Sequence, residues 1–383
     1  MYTRLINHLL SENVSFFLFG PRGTGKTTWL KNHLFENQIS HIYIDLLDYE
    51  LFNRLTANPG HLIRYIPEPA PEWVVIDEVQ LVPECLNEVH RLIESKKIKF
   101  ILTGSSARKL RQKGINLLAG RAIRYELFPL TAIELQADFD LDFSLQFGHL
   151  PTVFSHESPK EYLAAYIQTY LKEEILQEGL VRNLGIFSRF LEIASFSQGA
   201  LLNYSEIGRE LGLDYKTVEN YFSILEDLLI GYRVPPFMKK AKRRLMKTTK
   251  FYFFDTGIYH QIRPKGPLDR PEEIHGIALE TLVFQELKAI IAYYKQDYQL
   301  YYWRTSHGKE VDFVLYGENG LIAIEVKHSD KIRSKDLNGL RQFKSDYEIS
   351  KCYVFYRGKT EENWDGIRVI PVTSALKDLA AFF

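Results

Sequence analysis

Residues 14–34 constrain the fold of this chain more than any other part of the sequence. An apolar run at 14–19 predicts a β-strand, residues 20–27 read GPRGTGKT, and the segment after them favours a helix. The middle part fits the pattern G-x-x-x-x-G-K-[ST], a loop whose backbone N–H groups surround an anion between a strand and a helix. This order predicts the phosphate-binding loop of an α/β domain with a parallel sheet.

Each residue type in this loop suits phosphate binding. Glycines let the backbone turn tightly, Lys26 brings a positive charge to the β- and γ-phosphates, and the Thr27 hydroxyl can ligate Mg²⁺. The phosphates then lie at a helix N-terminus, where unpaired N–H groups favour negative charge. We therefore expect ATP and Mg²⁺ as cofactors. The predicted nucleotide-binding residues of the loop are Gly20, Pro21, Arg22, Gly23, Thr24, Gly25, Lys26, Thr27 and Thr28.

A second strand is expected to end in the acidic partners of this loop. Residues 72–76 have the pattern of a buried strand, and Asp77 and Glu78 follow it directly. We expect Asp77 to hold the Mg²⁺, usually through water, and Glu78 to orient and polarise the attacking water. Two consecutive carboxylates at a strand end favour an ATPase that hydrolyses its nucleotide over a nucleotide kinase.

Two further positions are candidates for the hydrolysis step. Segment 99–103 predicts a third strand, and Thr103 or Ser105 at its end can sense the γ-phosphate or place the water, with ordinary turn chemistry as the alternative. Arg121 follows a loop and is the preferred candidate for an arginine finger that reaches a neighbouring subunit's site. The competing candidates are Arg108, Arg111 and Arg124.

Length and composition indicate a soluble, cytoplasmic protein of two or three domains. The chain has 383 residues, and Lys plus Arg and Asp plus Glu are both 48, so whole-chain charge gives no indication of a nucleic-acid partner. Cys85 and Cys352 lack metal-like spacing, which suits a reducing compartment. The first residues do not resemble a signal peptide, and no apolar run approaches the roughly 18 residues of a membrane span.

The middle of the chain, residues 131–255, has a helical pattern followed by a hairpin. Residues 160–177 predict one long helix, and residues 203–212 and 215–229 predict a helix-turn-helix. The stretch 232–254 can then form the hairpin of a winged helix.

This segment has two interpretations. One places the second helix in a DNA major groove, through Tyr215, Lys216, Thr217 and Asn220. The other makes it a packing module or a lid of the ATPase, because Asp214 and Glu219 bring negative charge to the same face. The hairpin is basic, and we expect it to bind the phosphates of DNA, with nucleotide, an acidic neighbour or solvent as the alternatives. Its basic residues are Lys239, Lys240, Lys242, Arg243, Arg244, Lys247 and Lys250.

Residues 256–383 contain an ordered set of carboxylates with one lysine. Glu280 lies on a predicted helix, Asp312 starts a strand, and a tight turn leads to a second strand with Glu325 and Lys327 on one face. Asp312 and Glu325 can converge on one hard cation. Beside that cation, Lys327 can orient or deprotonate a water that attacks a phosphodiester. Glu280 would be an accessory carboxylate.

The spacing D-x(12)-E-x-K resembles the restriction-endonuclease-like, or PD-(D/E)xK, superfamily, with Val311 where that pattern has Pro. Over nearly its full length, the chain resembles a prokaryotic family with an AAA-type P-loop ATPase, a winged-helix segment and a C-terminal nuclease-like domain of unknown function. The resemblance rests on the helix-turn-helix and on GPRGTGKTT, VVIDEVQ, ILTGSS, LAGR, FYFFDTGIYH, GIALETLVFQEL, KEVDF and IAIEVKHS. It implies a ring-shaped homo-oligomer and ATP bound by Lys26, Thr27, Asp77 and Glu78.

The expected fold class is α/β: a P-loop parallel-sheet ATPase domain at 1–130, a helical and winged-helix middle, and a C-terminal restriction-endonuclease-like α/β domain. The first functional hypothesis is an ATPase coupled to DNA binding or to Mg-dependent DNA cleavage. The second is an ATP-dependent switch or protein-remodelling scaffold whose nuclease-like domain is inert. The third is a regulatory DNA-binding protein with ATP as its ligand.

Overall fold

The computed structural model describes residues 2–105, 118–171, 175, 181, 183–239, 244–267 and 269–383. The chain forms two compact units. Residues 1–128 with 227–229 make up the N-terminal unit, and residues 129–226 with 230–383 make up the C-terminal unit. The predicted boundary at residue 255 lies inside the C-terminal unit, so that boundary stays a prediction. In the described ranges, no helix has the length and apolar character needed to cross a membrane.

The N-terminal unit is built on a five-stranded parallel sheet, which confirms the predicted sheet. Its strands are β1 (Phe16–Phe19), β2 (His41–Asp45), β3 (Trp73–Asp77), β4 (Lys99–Gly104) and β5 (Ile123–Glu126), in the spatial order β2-β3-β4-β1-β5. β1 and β3 are buried along their whole length, as their continuous apolar sequences require. Because β4 pairs with β1 on one side and β3 on the other, the ends of these three strands lie side by side.

In the described part of this unit, the α-helices are α1 (Lys26–Glu36), α2 (Tyr49–Ala57) and α3 (Cys85–Lys96). Gly25, in the left-handed conformation, precedes α1, and the Asp48 side chain caps α2 by accepting a hydrogen bond from the N–H of Leu51. Apolar side chains of the strands, α2 and α3 pack into one core. That core holds the strand ends, where the predicted site residues lie, in fixed positions.

The C-terminal unit begins with short helices: α4 (Ala132–Leu135), α5 (Leu141–Phe147), α6 (Pro159–Ala165) and α7 (Leu184–Phe196). The sequence predicts one helix over 160–177. Instead, α6 ends at Ala165 and a wider π-helical turn, Tyr166–Leu171, continues from it. Residues 172–174 and 176–177 of that prediction lie outside the described residues.

Two helices and a pair of strands follow in the order that the sequence predicts. α8 (Tyr204–Leu211) begins after Asn203, whose side chain accepts a hydrogen bond from the N–H of Glu206, and ends at Gly212 in the left-handed conformation. α9 (Tyr215–Asp227) comes next, and the strands β6 (Gly231–Val234) and β7 (Lys250–Phe253) pair antiparallel.

The rest of this unit, as far as the structure describes it, is a six-stranded mixed sheet accompanied by α-helices. Its strands are β8 (Tyr298–Arg304), β9 (Glu310–Gly317), β10 (Gly320–Lys327), β11 (Lys351–Tyr356), β12 (Glu362–Trp364) and β13 (Ile367–Pro371). The spatial order is β12-β13-β11-β10-β9-β8; β8, β9 and β10 are antiparallel neighbours, whereas β10, β11 and β13 run parallel. The helices are α10 (Thr256–Ile262), α11 (Pro271–Tyr293), α12 (Asn338–Asp346) and α13 (Val372–Lys377).

Gly20 lies where the loop after β1 passes against the chain after β5. A Cβ atom at Gly20 would lie 2.4 Å from the carbonyl oxygen of Leu127, whose own N–H is bonded to the carbonyl of Phe19. We expect Gly20→Ala to lower the free energy of unfolding of the N-terminal unit by about 1–3 kcal/mol, because backbone atoms must move apart.

Gly276→Ala is the matched control, since Gly276 lies in α11 with no atom within 4 Å of the added Cβ. Alanine is the better helix former, so this change should be neutral or stabilising by up to about 1 kcal/mol. Thermal unfolding of the two variants, followed by circular dichroism, measures the difference. Equal unfolding midpoints would contradict the close approach at Gly20.

Candidate functional site

The loop at residues 20–27 has the backbone shape that its sequence predicts. Gly23 and Gly25 have φ angles of 81° and 87°, in the left-handed region that favours glycine. α1 begins at Lys26, which places a helix N-terminus at the end of the loop. The Lys26 ammonium group donates hydrogen bonds to the carbonyl oxygens of Gly20 (2.7 Å) and Pro21 (3.1 Å). The positive charge is therefore held against the loop itself.

Arg4 supports this loop, and sequence reasoning misses it. Its buried guanidinium group donates to the carbonyl oxygens of Thr24 (3.2 Å) and Phe128 (2.6 Å). These bonds tie the middle of the loop to the chain that follows β5. Arg4 lies outside every motif of the sequence, so only the folded structure identifies it.

Asp77, at the end of β3, is the central hydrogen-bond acceptor of the site. The Thr27 hydroxyl donates to its Oδ2 at 2.9 Å, and the hydroxyls of Tyr43 and Thr103 donate to Oδ2 and Oδ1. Tyr43 belongs to β2 and Thr103 to β4, the two neighbours of β3, so both reach the carboxylate from adjacent strands. Burial and the neighbouring Asp77 raise the pKa of Tyr43, which keeps its hydroxyl a donor.

The oxygen atoms at this position suit a magnesium ion. Thr27 and Asp77 present a hydroxyl and a carboxylate oxygen 2.9 Å apart, and a hard cation prefers both kinds of ligand. The three donors to Asp77 are neutral hydroxyls, which leave its negative charge in place. These residues therefore fit Mg²⁺ beside the phosphates of a nucleotide.

Glu78 has a left-handed backbone, and Gln80 holds its side chain. Its φ angle is 58°, a conformation that residues with a Cβ adopt rarely and that concentrates at functional sites. The N–H of Glu78 lies 3.4 Å from the Thr103 hydroxyl, and its carboxylate accepts a hydrogen bond from the Gln80 amide. That amide nitrogen also lies 3.4 Å from Oγ of Ser105. The structure thus brings the predicted residues Glu78, Thr103 and Ser105 together, around a glutamine that sequence reasoning misses.

Arg121 forms an ion pair with Glu94 on α3. Both side chains are well exposed, at 36% and 50%, so solvent weakens the pair and the guanidinium can exchange it for another partner. Among the competing arginines, Arg124 pairs with Glu126, whereas Arg108 and Arg111 lie outside the described residues.

The candidate residues of the C-terminal unit lie on β9 and β10, which are antiparallel neighbours. Asp312 accepts a hydrogen bond from the N–H of Val326 at 2.8 Å, and Lys327 donates to the carboxylate of Glu325. Asp312 and Glu325 are 9% and 7% exposed. The structure therefore brings Asp312, Glu325 and Lys327 together, as the strand alternation predicts.

Lys250 changes the interpretation of this cluster. The sequence groups it with the basic residues of the hairpin, and that assignment is wrong, because Lys250 is only 2% exposed. Its ammonium nitrogen lies 2.5 Å from Glu310, 3.2 Å from Glu280 and 3.9 Å from Asp312. Lys250 begins the otherwise apolar strand β7, and Tyr252, two residues on, also donates to Glu280. The sequence does contain one indication that Lys250 is buried, because this lysine directly precedes the apolar residues of a strand.

Burial and charge act on these groups in opposite directions. Burial raises the pKa of Asp312 well above its usual value, and Glu325 and Glu280 raise it further. Burial alone lowers the pKa of Lys250, but the surrounding carboxylates outweigh it and hold that pKa well above its usual value. The same balance raises the pKa of Lys327, where Glu325 and Asp312 outweigh burial. Both lysines therefore stay positively charged among the carboxylates.

This arrangement does not fit a divalent cation. Lys250 and Lys327 bring two positive charges against the carboxylates, and Arg304 adds a third, 3.1 Å from Glu310. A metal ion would have to share the carboxylates with groups of like charge. Across the described ranges, no group of three or more His, Cys, Asp or Glu side chains is arranged to hold a metal ion. The Glu325 carboxylate also accepts a hydrogen bond from Lys327 itself, so one of the two cations contacts the predicted metal ligand directly.

The basic hairpin residues predicted to contact DNA are only partly described. The Lys239 ammonium group lies 4.2 Å from the centre of the Tyr316 ring, and Arg244 and Lys247 are exposed. Lys240, Lys242 and Arg243 lie outside the described residues. On α9, Tyr215, Lys216 and Asn220 are exposed, whereas Thr217 donates a hydrogen bond to Asp214 at 2.5 Å. Contact with DNA through either element stays a prediction.

Family comparison gives three matches along the chain. Residues 12–136 match the family model of an AAA domain, and the strands β1 to β5 with Asp77 and Glu78 lie within that range. Residues 138–269 match one domain of unknown function (DUF8612), and residues 275–375 match another (DUF4143).

Two curated relatives match the sequence of this chain at low identity. An uncharacterized protein of Mycobacterium tuberculosis is 25% identical over 294 residues, which cover 75% of this chain and 65% of that protein. The match thus spans about two-thirds of the mycobacterial relative. An uncharacterized protein of Haemophilus influenzae is 23% identical over 385 residues, which cover 93% of this chain and 92% of that protein.

Among solved structures, the Holliday junction branch migration motor RuvB of Thermotoga maritima is similar at 17% identity and a TM-score of 0.29. The alignment covers 60% of this chain and 87% of that chain. The identification of the N-terminal unit rests on the parallel sheet, the phosphate-binding loop and the AAA-domain match. Together they show a parallel-sheet, P-loop ATPase-like unit that is similar to AAA domains over residues 12–136.

Proposed function

We propose that the N-terminal unit binds ATP with Mg²⁺ and hydrolyses it. The observation that carries this proposal is the convergence of Thr27 and Thr103 on the Asp77 carboxylate, with Glu78 directly beside it. A hydrolysing P-loop enzyme needs these groups together: a hydroxyl and a carboxylate for the metal, and a second carboxylate for the attacking water.

Each side chain then has a distinct task. Lys26 pairs with the phosphate oxygens, and Thr27 and Asp77 hold Mg²⁺, which neutralises charge that develops on the phosphates. Glu78 orients and polarises the water. Thr103 senses the γ-phosphate. Because it contacts both Asp77 and Glu78, it also fixes the positions of these two residues relative to each other.

Arg121 is proposed to act in the site of a neighbouring subunit. A guanidinium group stabilises negative charge on a transferring phosphoryl group, and it can be supplied by another chain. The exposed ion pair with Glu94 would break when that contact forms. This role requires a homo-oligomer, which the family resemblance also implies.

Two substitutions test the ATPase proposal. Glu78→Gln should keep ATP binding but lose about 100-fold or more in turnover, because the amide cannot polarise the water as a carboxylate does. Lys26→Ala should weaken ATP binding, because it removes the positive charge at the phosphates. Nucleotide titration measures binding, and phosphate release measures turnover. Glu84→Gln, at an exposed glutamate before α3, is the matched control and should resemble the wild type. Unchanged turnover in Glu78→Gln would remove Glu78 from the mechanism.

For the C-terminal unit, the structure favours the scaffold alternative over a metal-dependent nuclease. We infer that its carboxylate cluster is a structural ion-pair network, closed by Lys250 and Lys327. The antiparallel strands β8 to β10, followed by α12 and the parallel strand β11, are consistent with the nuclease-like fold that the sequence predicts. A fold of this kind can persist without catalysis and serve to bind a partner. The exposed basic residues Lys239 and Arg244 keep DNA among the candidate partners.

Removal of Lys250 tests the network. Lys250→Met should lower the free energy of unfolding by about 3–5 kcal/mol, because it leaves buried carboxylates without their counter-charge. Asp312 has a raised pKa in the folded protein. Its contribution to the free energy of unfolding is therefore fully present below about pH 4, the pKa in the unfolded chain, and is lost as the pH rises through the pKa in the folded protein. Lys250 lowers the pKa of Asp312, so this loss of stability is greater without Lys250. The difference in free energy of unfolding between the wild type and Lys250→Met should therefore be larger at pH 8 than at pH 5.

Chemical denaturation at the two pH values measures this deficit. Lys247→Met, at an exposed lysine three residues earlier, is the control and should change stability little. Adding Glu280→Gln to Lys250→Met removes a carboxylate charge whose other hydrogen-bond donor, Tyr252, is neutral, and should recover part of the loss. A deficit that is small, or that does not depend on pH, would contradict the network.

A cleavage assay separates the scaffold from the nuclease. The full chain would be incubated with linear, single-stranded and branched DNA, with Mg²⁺ or Mn²⁺, and with or without ATP. We expect no cleavage above that of the Asp312→Ala/Lys327→Ala variant. Cleavage by the wild type that disappears in this variant would overturn the scaffold proposal and identify a nuclease site.

A further inference from the structure

A cavity of about 300 Å³ lies in the helical part of the C-terminal unit. Side chains of α5, α6, α10 and the loop after α10 line it, among them Gln146, Lys160, His260, Gln261, Arg263 and Lys265. None of the carboxylates of the ion-pair network is among its lining residues. All of the lining residues belong to one compact unit, in which α10 packs against both α5 and α6.

The charged lining of this cavity is basic. Lys160, Arg263 and Lys265 carry positive charge, and the described residues that line the cavity include no acidic side chain. Asp269 forms an ion pair with Arg263, with Nη2 and Oδ1 3.1 Å apart. Burial lowers the pKa of Lys265, and Lys160 and Arg263 lower it further, so these cations repel one another. An anion in the cavity would relieve that repulsion.

Two buried groups of the lining have hydrogen-bond donors without partners. His260 is 8% exposed, and neither of its ring nitrogens has a partner in the described part of the chain. Burial, together with Lys265 and other nearby cations, lowers the pKa of His260 to about 3, so the ring is neutral and one nitrogen carries a hydrogen. Nε of Arg263 is likewise buried without a partner, although its guanidinium contacts Asp269 and lies 4.4 Å from the centre of the Phe196 ring.

We propose that this cavity binds a small phosphate-bearing anion, through the cations Lys160, Arg263 and Lys265 and the N–H of His260. Buried donors without partners are uncommon in folded proteins, and here two of them, on His260 and Arg263, line one cavity together with Lys160 and Lys265. An acceptor with several oxygens satisfies the imidazole and the guanidinium at once.

Charge and size favour phosphate over a singly charged anion. The three cations, less the charge of Asp269, leave a charge of about +2, which matches a phosphate dianion. The cavity is at the lower end of the usual ligand-pocket range and is large enough for a phosphate with a small organic group. The phosphate can come from a free phosphorylated molecule or from the end of a nucleic-acid strand.

Calorimetric titration of the full chain with pyrophosphate and with inorganic phosphate tests the proposal. The Lys26→Ala background is used throughout, because it removes phosphate binding at the N-terminal loop. We expect saturable binding with a dissociation constant below about 1 mM, weakened at least about tenfold in Lys160→Ala/Lys265→Ala. Lys335→Ala/Lys359→Ala removes two exposed lysines from elsewhere in the same unit and is the matched control, which should bind as the background protein does.

Nuclear magnetic resonance of the ¹⁵N-labelled His260 ring gives a second, local readout. Its nitrogen shifts should change on titration with pyrophosphate, since the ring donates to the anion. A 5′-phosphorylated oligonucleotide, compared with the same strand bearing a 5′-hydroxyl, tells whether a strand end is the source of the phosphate. Absence of saturable binding of all these probes, or equal affinity in the two double variants, would overturn the proposal.

Discussion

A buried carboxylate needs hydrogen-bond partners, and the charge of those partners decides what each unit of this protein can do. In the N-terminal unit, Asp77 is held by the neutral hydroxyls of Thr27, Tyr43 and Thr103. Such donors fix the carboxylate without cancelling its charge, so it still attracts a cation. In the C-terminal unit, the carboxylates around Asp312 are held by the ammonium group of Lys250. There the charge is already compensated, and a metal ion gains little.

This difference follows from strand order. In the N-terminal sheet, β2 and β4 lie on either side of β3, and each carries a residue that donates from a hydroxyl to Asp77, Tyr43 in the middle of β2 and Thr103 near the end of β4. The Asp77 carboxylate therefore lies among hydroxyl groups of both neighbouring strands, at the carboxyl end of its own strand, which is where parallel sheets of this kind bind ligands. In the C-terminal unit, a residue of β7 reaches the cluster of β9, β10 and α11 from another sheet. The same type of residue thus keeps its negative charge among neutral donors in one unit and has that charge compensated by a lysine in the other.

The sequence predicts those features that depend on local pattern. The loop at 20–27, the acidic end of β3 and the pair Glu325 and Lys327 all follow from residues close together in the chain, and the structure places them as expected. It does not predict the hydrogen bond of Tyr43 to Asp77 or the ion pairs of Lys250, because these contacts depend on which strands become neighbours. Tyr43 is 34 residues from Asp77, and Lys250 is 30 residues from Glu280. A lysine among other basic residues looks exposed until the fold shows which strand begins with it.

Gln80 holds the second carboxylate of the phosphate-loop site, that of Glu78. Gln80 is buried, and Gly104 leaves it space, since a Cβ there would lie 2.4 Å from the amide oxygen. Its position is therefore fixed, and its amide donates to Oε2 of Glu78. That bond sets the direction of the carboxylate and leaves Oε1 to accept a hydrogen bond from a water molecule. Gln80 contacts Glu78 and Ser105, so it acts as a positioning residue for Glu78. The strained, left-handed backbone of Glu78 and the hydrogen bond from a side chain only two residues later thus occur at the same carboxylate, which is where backbone strain is expected at a functional site.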